Sequence, residues 1–226
     1  MELKGVVPWG RSFVEYRDIF SLTESDLNKT ILGCGDGPAS FNAELTARGG
    51  NVVSIDPSYQ FDAKSLQARI ADVYDEIMTQ VDANKEKFIW KSIPSLDVLG
   101  KIRMDAMNKF LSDYDKGKKS GRYICESLPK LSFEDKQFDL ALCSHYLFLY
   151  SDHVCLEQHI ASIIELCRVA KEVRIYPLLS LKGETSPYLE AVILELSKMK
   201  LTTSLVDVTY QFQKGATQML VVTAVE

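Results

Sequence analysis

The stretch from Thr30 to Asp56 constrains the fold more than any other part of the chain. Thr30-Ile31-Leu32 is short and apolar and runs directly into Gly33-Cys34-Gly35-Asp36-Gly37. Ala39 to Arg48 reads as a helix that Gly49-Gly50 ends. Asn51-Val52-Val53-Ser54-Ile55 is a second buried-strand pattern, closed by Asp56-Pro57. Strand, glycine turn, helix and strand within about 30 residues form one βαβ unit. Two parallel strands need such a crossover, because the chain must return to the same end of the sheet.

The same rhythm runs through the rest of the chain. Ser12 to Phe20 has helical spacing, and Ser21 or Thr23 can cap a short second turn, with Asp26 in a Thr-x-x-Asp capping pattern. From Phe61 to Lys119 the pattern is strongly helical, in two segments, Ala63 to Val81 and Leu96 to Tyr114, with Pro94 starting the second. Leu66, Ile70, Val73, Ile77 and Val81 share one face, and Leu99, Ile102, Met107 and Phe110 share another. Lys116 to Gly121 reads as an exposed turn, with Lys116, Lys118, Lys119 and Arg122 solvated. Further strands are predicted at 122–125, 137–143, 172–176, 204–210 and 218–225, with helices over 156–168 and 188–198. Seven strands alternating with helices predict an α/β, Rossmann-like, mostly parallel sheet covered on both faces. The last two strands are close enough for a C-terminal antiparallel hairpin. The expectation is one domain over residues 1–226, with a helical insertion after the second strand at about 61–120.

Composition narrows the class. The 226 residues are 46% hydrophobic and 25% charged, which supports a core without disulfides or metal. The net charge of -5 argues against a broad nucleic-acid-binding face, which needs clustered cations. The five cysteines form no CxxC pair and no zinc pattern, which points to a reducing compartment and a cytoplasmic location. Met1 to Trp9 carries no signal-peptide pattern, and no apolar run reaches the length of a bilayer span.

Four stations can carry chemistry. The turn containing Gly33, Cys34, Gly35 and Gly37 lets a ligand approach the backbone at the carboxyl end of the first strand. Asp56, followed by Pro57, stands where a carboxylate accepts ribose hydroxyls, or simply opens a turn. Glu126-Ser127-Leu128 offers polar groups and an apolar face to an adenine-like ring, or ends a strand as a plain loop. Ser144 and His145 emerge past the fourth strand, followed by Tyr146 and Tyr150. His145 is either a proton-transfer residue or a histidine satisfied by its neighbours. Tyr146, Tyr150 and Asp152 are weaker candidates for proton transfer, and His153 and His159 read as solvated. Trp9, Arg11 and Tyr16 form either a lid, with Arg11 near a ligand carboxylate, or a helix packed on the sheet edge.

In their order and spacing these stations resemble the class I S-adenosylmethionine-dependent methyltransferases. The stretches VVPWGRSFVEY, GPASFNAE, VVSIDPSY and FDLALCSHYLFLYSDH resemble an uncharacterised bacterial branch of that superfamily. The resemblance spans nearly the whole chain. It implies that the glycine turn wraps the methionine end and ribose of S-adenosylmethionine and that Asp56 binds the ribose diol. It implies that Ser127 and Leu128 flank the adenine and that Ser144 and His145 line the methyl side, with His145 and Tyr150 as catalytic candidates. The acid that usually begins the first motif is missing: Gly33 or Ile31 stands there, depending on register, and Asp36 or the N-terminal segment is left to replace it. The Asn/Asp-Pro-Pro-Tyr motif of nucleobase methylation is also absent, which lowers the case for a nucleic-acid base methylase; the expectation is a small-molecule acceptor, with S-adenosylhomocysteine as product, and a protein acceptor stays open beside it. The competing readings are a non-catalytic binder of these adenosyl ligands and a nicotinamide-dependent oxidoreductase. The latter fits less well, because Gly33 to Ala39 lacks the G-x-G-x-x-G spacing.

Overall fold

Seven strands form one sheet in the order β3-β2-β1-β4-β5-β7-β6 in the computed structural model, which describes residues 7–224. The strands are β1 (Thr30–Cys34), β2 (Asn51–Ile55), β3 (Tyr123–Ile124), β4 (Phe138–Ser144), β5 (Ala170–Tyr176), β6 (Leu201–Asp207) and β7 (Gln218–Ala224). β1 to β5 pair in parallel, while β7 runs antiparallel to both β5 and β6. This is the α/β sheet with a C-terminal hairpin that the sequence predicts. Val225 and the N-terminal residues Met1 to Val6 lie outside the described residues.

Alternation along the central strands builds two cores. Ile31, Leu140 and Leu142 face one side, where α1 (Phe13–Ile19), α3 (Phe41–Ala47) and α4 (Ala63–Ala83) cover them. Leu32, Ala141, Cys143 and Val173 face the other side, under α6 (Leu156–Val169) and α7 (Leu189–Lys198). Each aliphatic side chain sealed this way contributes about 1.5–3 kcal/mol. The short α2 (Glu24–Leu27) begins with the expected reciprocal cap between Thr23 and Asp26.

The stretch read as an insertion divides in two. α5 (Leu96–Lys119) packs against α3 and β3 and so serves as the crossover between parallel β2 and β3, leaving α4 as the additional helix. α5 also runs through the turn expected at Lys116 to Gly121. Gly117 is buried within the helix, and a Cβ there would lie 2.3 Å from the Tyr123 ring. The glycine marks a close helix–strand approach, where the sequence reads as a breaker. Arg122 is likewise not solvated, because it pairs with Asp113 at 2.8 Å and donates to Asn42 at 2.5 Å.

No helix joins β3 to β4. Residues 125–137 cross with Leu128 and Leu131 buried in the second core. Arg168 of α6 donates to the carbonyls of Leu131 and Phe133 at 3.1 and 2.9 Å, and Glu165 accepts from the Leu131 N–H at 2.7 Å. Two charged residues of one helix thus replace the backbone hydrogen bonds that a helical crossover would make for itself. β6 begins three residues earlier than predicted and stops at Asp207, because residues 208–213 leave the sheet for α4's far end. There the Ile89 N–H donates to the Phe212 carbonyl at 2.7 Å.

Candidate active site

A cavity of about 770 Å³ opens at the carboxyl ends of β1, β2 and β4. The chain leaves β1 toward β2 and leaves β4 toward β5, so the cavity sits where the winding direction reverses. That is the place where open parallel sheets leave a crevice for ligands.

The floor is the glycine turn. Gly35 and Gly37 have φ of 67° and 50°, a left-handed conformation that favours glycine. A Cβ at Gly35 would sit 3.0 Å from Tyr146 Cβ. A Cβ at Gly33 would fall 1.9 Å from Asp36 Oδ2, so the Asp36 carboxylate occupies the space of a residue-33 side chain. Tyr16 and Ser54 both donate to it at 2.6 Å. Burial pushes Asp36 up to about 6, against the effect of those two hydroxyls. No cation pairs with it among the described residues. Asp56 stands beside the turn, accepting from the Gly37 N–H at 3.0 Å and the Ser58 N–H at 2.8 Å, and burial raises its pKa too.

The N-terminal segment crosses the mouth. Gly10 packs against Pro38 so tightly that a Cβ would lie 2.1 Å from its carbonyl oxygen, and the Ser40 N–H donates to Arg11 O at 3.0 Å. Trp9 lies 5.8 Å from the Tyr74 ring of α4. Arg11 donates to Trp9 O at 2.6 Å, but its Nε is buried without a partner and it makes no ion pair among the described residues. Burial lowers its pKa, and Arg103 adds to the effect. Arg103, 1% exposed, is held by Glu15 through two 2.6 Å contacts. Tyr210 donates to the same carboxylate at 2.8 Å.

His145 sits on the β4 edge of the cavity with φ of 53°. Its N–H donates to Tyr176 O at 2.7 Å, and Nδ1 lies 2.9 Å from Ser144 Oγ. The ring packs edge-to-face on Tyr176 at 5.5 Å and lines the cavity. That burial, reinforced by Arg11 and Arg103, drives its pKa well below 6.5, so the imidazole is neutral. Burial raises the pKa of Tyr150, which lies nearby.

No family model matches the chain. Over 223 residues it is 31% identical to the uncharacterized protein MJ0045 of Methanocaldococcus jannaschii, covering 98% of both chains. The chain belongs to the MJ0045 family. MJ0045 is archaeal, and this match does not show the bacterial branch named from the sequence. Among solved structures, the PH0226 protein from Pyrococcus horikoshii OT3 shares the fold, with a TM-score of 0.50 at 15% identity over 94% of this chain and 89% of that one. A looser likeness, with a TM-score of 0.45 at 11% identity over 94% of this chain and 91% of that one, is to magnesium protoporphyrin IX methyltransferase (ChlM) from Synechocystis PCC 6803 with bound SAM.

In this member of the MJ0045 family the cavity gathers nearly all the residues singled out in the sequence. Cys34, Gly35, Gly37, Asp56 and Pro57 line it, as do Ser127, Leu128, Ser144, His145 and Tyr150. Trp9, Arg11 and Tyr16 line it from the N-terminal side. Gly33 does not; its role is to leave room for Asp36. Asp152 lies outside and pairs with Lys182 at 3.0 Å. His159 is not solvated. It is fully buried between Phe148 and Tyr188 because it falls on the inward face of α6. Sequence reasoning missed Arg103, Lys87 and Phe212, which come from α5 and from the two loops that meet over the cavity. None carries a local motif, and only tertiary packing brings them to the cavity.

Proposed function

We propose that the chain is a methyltransferase that uses S-adenosylmethionine and acts on a small molecule. The observation that carries this reading is a mismatched pair of charges lining one cavity, Asp36 buried and Arg11 half-buried. Among the described residues, Asp36 is a carboxylate with no cation paired to it, and Arg11 is a guanidinium with no ion pair, reached by Glu15 only at longer range than Arg103 is. Tyr16 lies between them, bonded to Asp36 and within electrostatic reach of Arg11. Buried charges are expected to be paired, and the amino-acid end of S-adenosylmethionine supplies the ammonium and the carboxylate that this pair lacks. A dinucleotide has no such zwitterion.

In this reading Asp36 holds the amino group and Arg11 the carboxylate. Gly35 and Gly37 let the ligand lie against the backbone. Asp56, already oriented by two N–H donors, accepts from the ribose, and Ser127 and Leu128 border the adenine. When bound, S-adenosylmethionine supplies a methyl group already activated on a sulfonium. The protein's work is then mainly alignment and the exclusion of water. Neutral His145, with Nδ1 fixed by Ser144, leaves Nε2 to take a proton from an acceptor that carries one.

The test is formation of S-adenosylhomocysteine in an acceptor screen, followed by His145→Asn. Asparagine tolerates the left-handed backbone at this position. The variant is expected to lose about 10²- to 10⁴-fold in kcat while binding S-adenosylhomocysteine as before. Unchanged turnover would remove His145 from proton transfer. Tight binding without turnover of any acceptor would favour a non-catalytic adenosyl-ligand binder.

A further inference from the structure

We infer that the acceptor is an anion carried on an apolar body, bound between α4, α5 and the loop after β6. Its role as acceptor rests on the methyltransferase reading, whereas the binding of such an anion here does not.

The cavity is lined by three acids and four cations, Arg11, Arg69, Lys87 and Arg103, and they are unevenly placed. Its acidic lining residues, Asp36, Asp56 and Glu126, all follow the ends of β1, β2 and β3. The opposite end has no acidic lining residue among those described. It carries Arg103 from α5 and Lys87 from the loop after α4, with Arg11 alongside. Glu15 balances one of these three charges through its contact with Arg103. In the methyltransferase reading the donor's carboxylate balances a second, at Arg11; without that donor the positive excess is larger still. One positive charge remains, and Lys87, half-buried, makes no ion pair among the described residues. Arg103 is fully buried and its Nε has no partner, so it also has hydrogen-bonding capacity to spare.

Around these cations the wall is apolar. Ile77, Val81 and Leu99 line it, and Phe88 stacks on Phe212 at 4.9 Å. The two loops are tied together by the Ile89 N–H to Phe212 O and the Lys214 N–H to Lys87 O, at 2.7 and 2.9 Å. The lysine is therefore held at the rim of a built apolar wall. A neutral apolar ligand would leave the excess charge desolvated and unpaired, and a cation would be repelled. An anion on an apolar body satisfies both the wall and the charge.

The test uses three probes with one apolar body: 2-naphthoate, 2-naphthamide and 2-naphthylmethylamine. Binding is measured by calorimetry, with and without saturating S-adenosylhomocysteine. The expected result is that naphthoate binds at least tenfold more tightly than the amide, with the amine weakest. Lys87→Glu is expected to reduce that naphthoate preference at least fivefold. Equal or tighter binding of the amide, no naphthoate binding in either condition, or a preference unchanged in Lys87→Glu would overturn the inference. Failure of S-adenosylhomocysteine to bind while naphthoate keeps its preference would overturn the cofactor reading alone.

Discussion

Replacing Asp36 with Asn is expected to make the ligand-free protein more stable at pH 7.5 and to weaken binding of S-adenosylmethionine about 100-fold. The two effects share one cause. Burial raises Asp36 from 3.8 to about 6, so the folded state holds its proton more tightly than the unfolded chain does. A raised pKa of this kind adds stability below about pH 3.8, and that stability is lost as pH climbs through about 6. The shift corresponds to about 3 kcal/mol. Asparagine never carries the charge, and the hydroxyls of Tyr16 and Ser54 can turn to meet its amide. The variant should therefore recover up to that amount, on the order of 5–10 °C in Tm for a chain of this size. It should also flatten the stability profile between pH 4 and 7. Loss of the carboxylate removes the partner proposed for the ligand's ammonium, so affinity falls. In the parent protein, affinity for S-adenosylhomocysteine should drop as pH falls through about 6. Thermal denaturation across pH and calorimetry check both halves. A less stable variant, or one that binds as well as the parent, contradicts this role for Asp36.

The second large effect is at Arg103. Arg103→Met is expected to destabilise the protein by about 3–5 kcal/mol, because it leaves Glu15 ionised, buried and unpaired. Burial pushes the Glu15 carboxyl up, but Arg103, with Arg11 behind it, holds it down to about 2. That depressed value adds stability above about pH 4.5, which is lost as pH falls through about 2. Adding Glu15→Gln should restore most of the loss, since removing both charges removes the desolvation problem. Urea denaturation of both single variants and the double variant closes the cycle. If the two single losses simply add, the pair is not coupled as the 2.6 Å contacts imply.

Much of the site was legible because its elements are local. Thr30 to Asp56 carries strand, turn, helix and strand in one stretch, and the glycines that need positive φ stand in it together. Ser144 and His145 were legible for the same reason, since they directly follow an apolar strand. Asp36 was only half legible. Its place beside the glycines was visible, but not that its carboxylate folds back into the space above Gly33. Gly117 and His159 misled because each has a common local meaning, a turn and a solvated histidine, that helix packing overrides. Arg103, Lys87 and Phe212 were not legible. They lie on α5 and on two loops far apart in the chain, and only contacts such as Phe88 on Phe212 bring them to one wall. The different roles of α4 and α5 were hidden likewise, because both carry the same helical period and only α5 packs as the crossover helix.

Calorimetry of the purified protein with S-adenosylmethionine, S-adenosylhomocysteine and NADH, with Asp56→Ala in parallel, decides whether the cavity is an adenosyl-ligand site. Both adenosyl ligands are expected to bind in the micromolar range, NADH is not expected to bind comparably, and the variant is expected to lose at least tenfold in affinity. Binding of NADH in preference to the adenosyl ligands, or no adenosyl binding at all, would contradict that assignment.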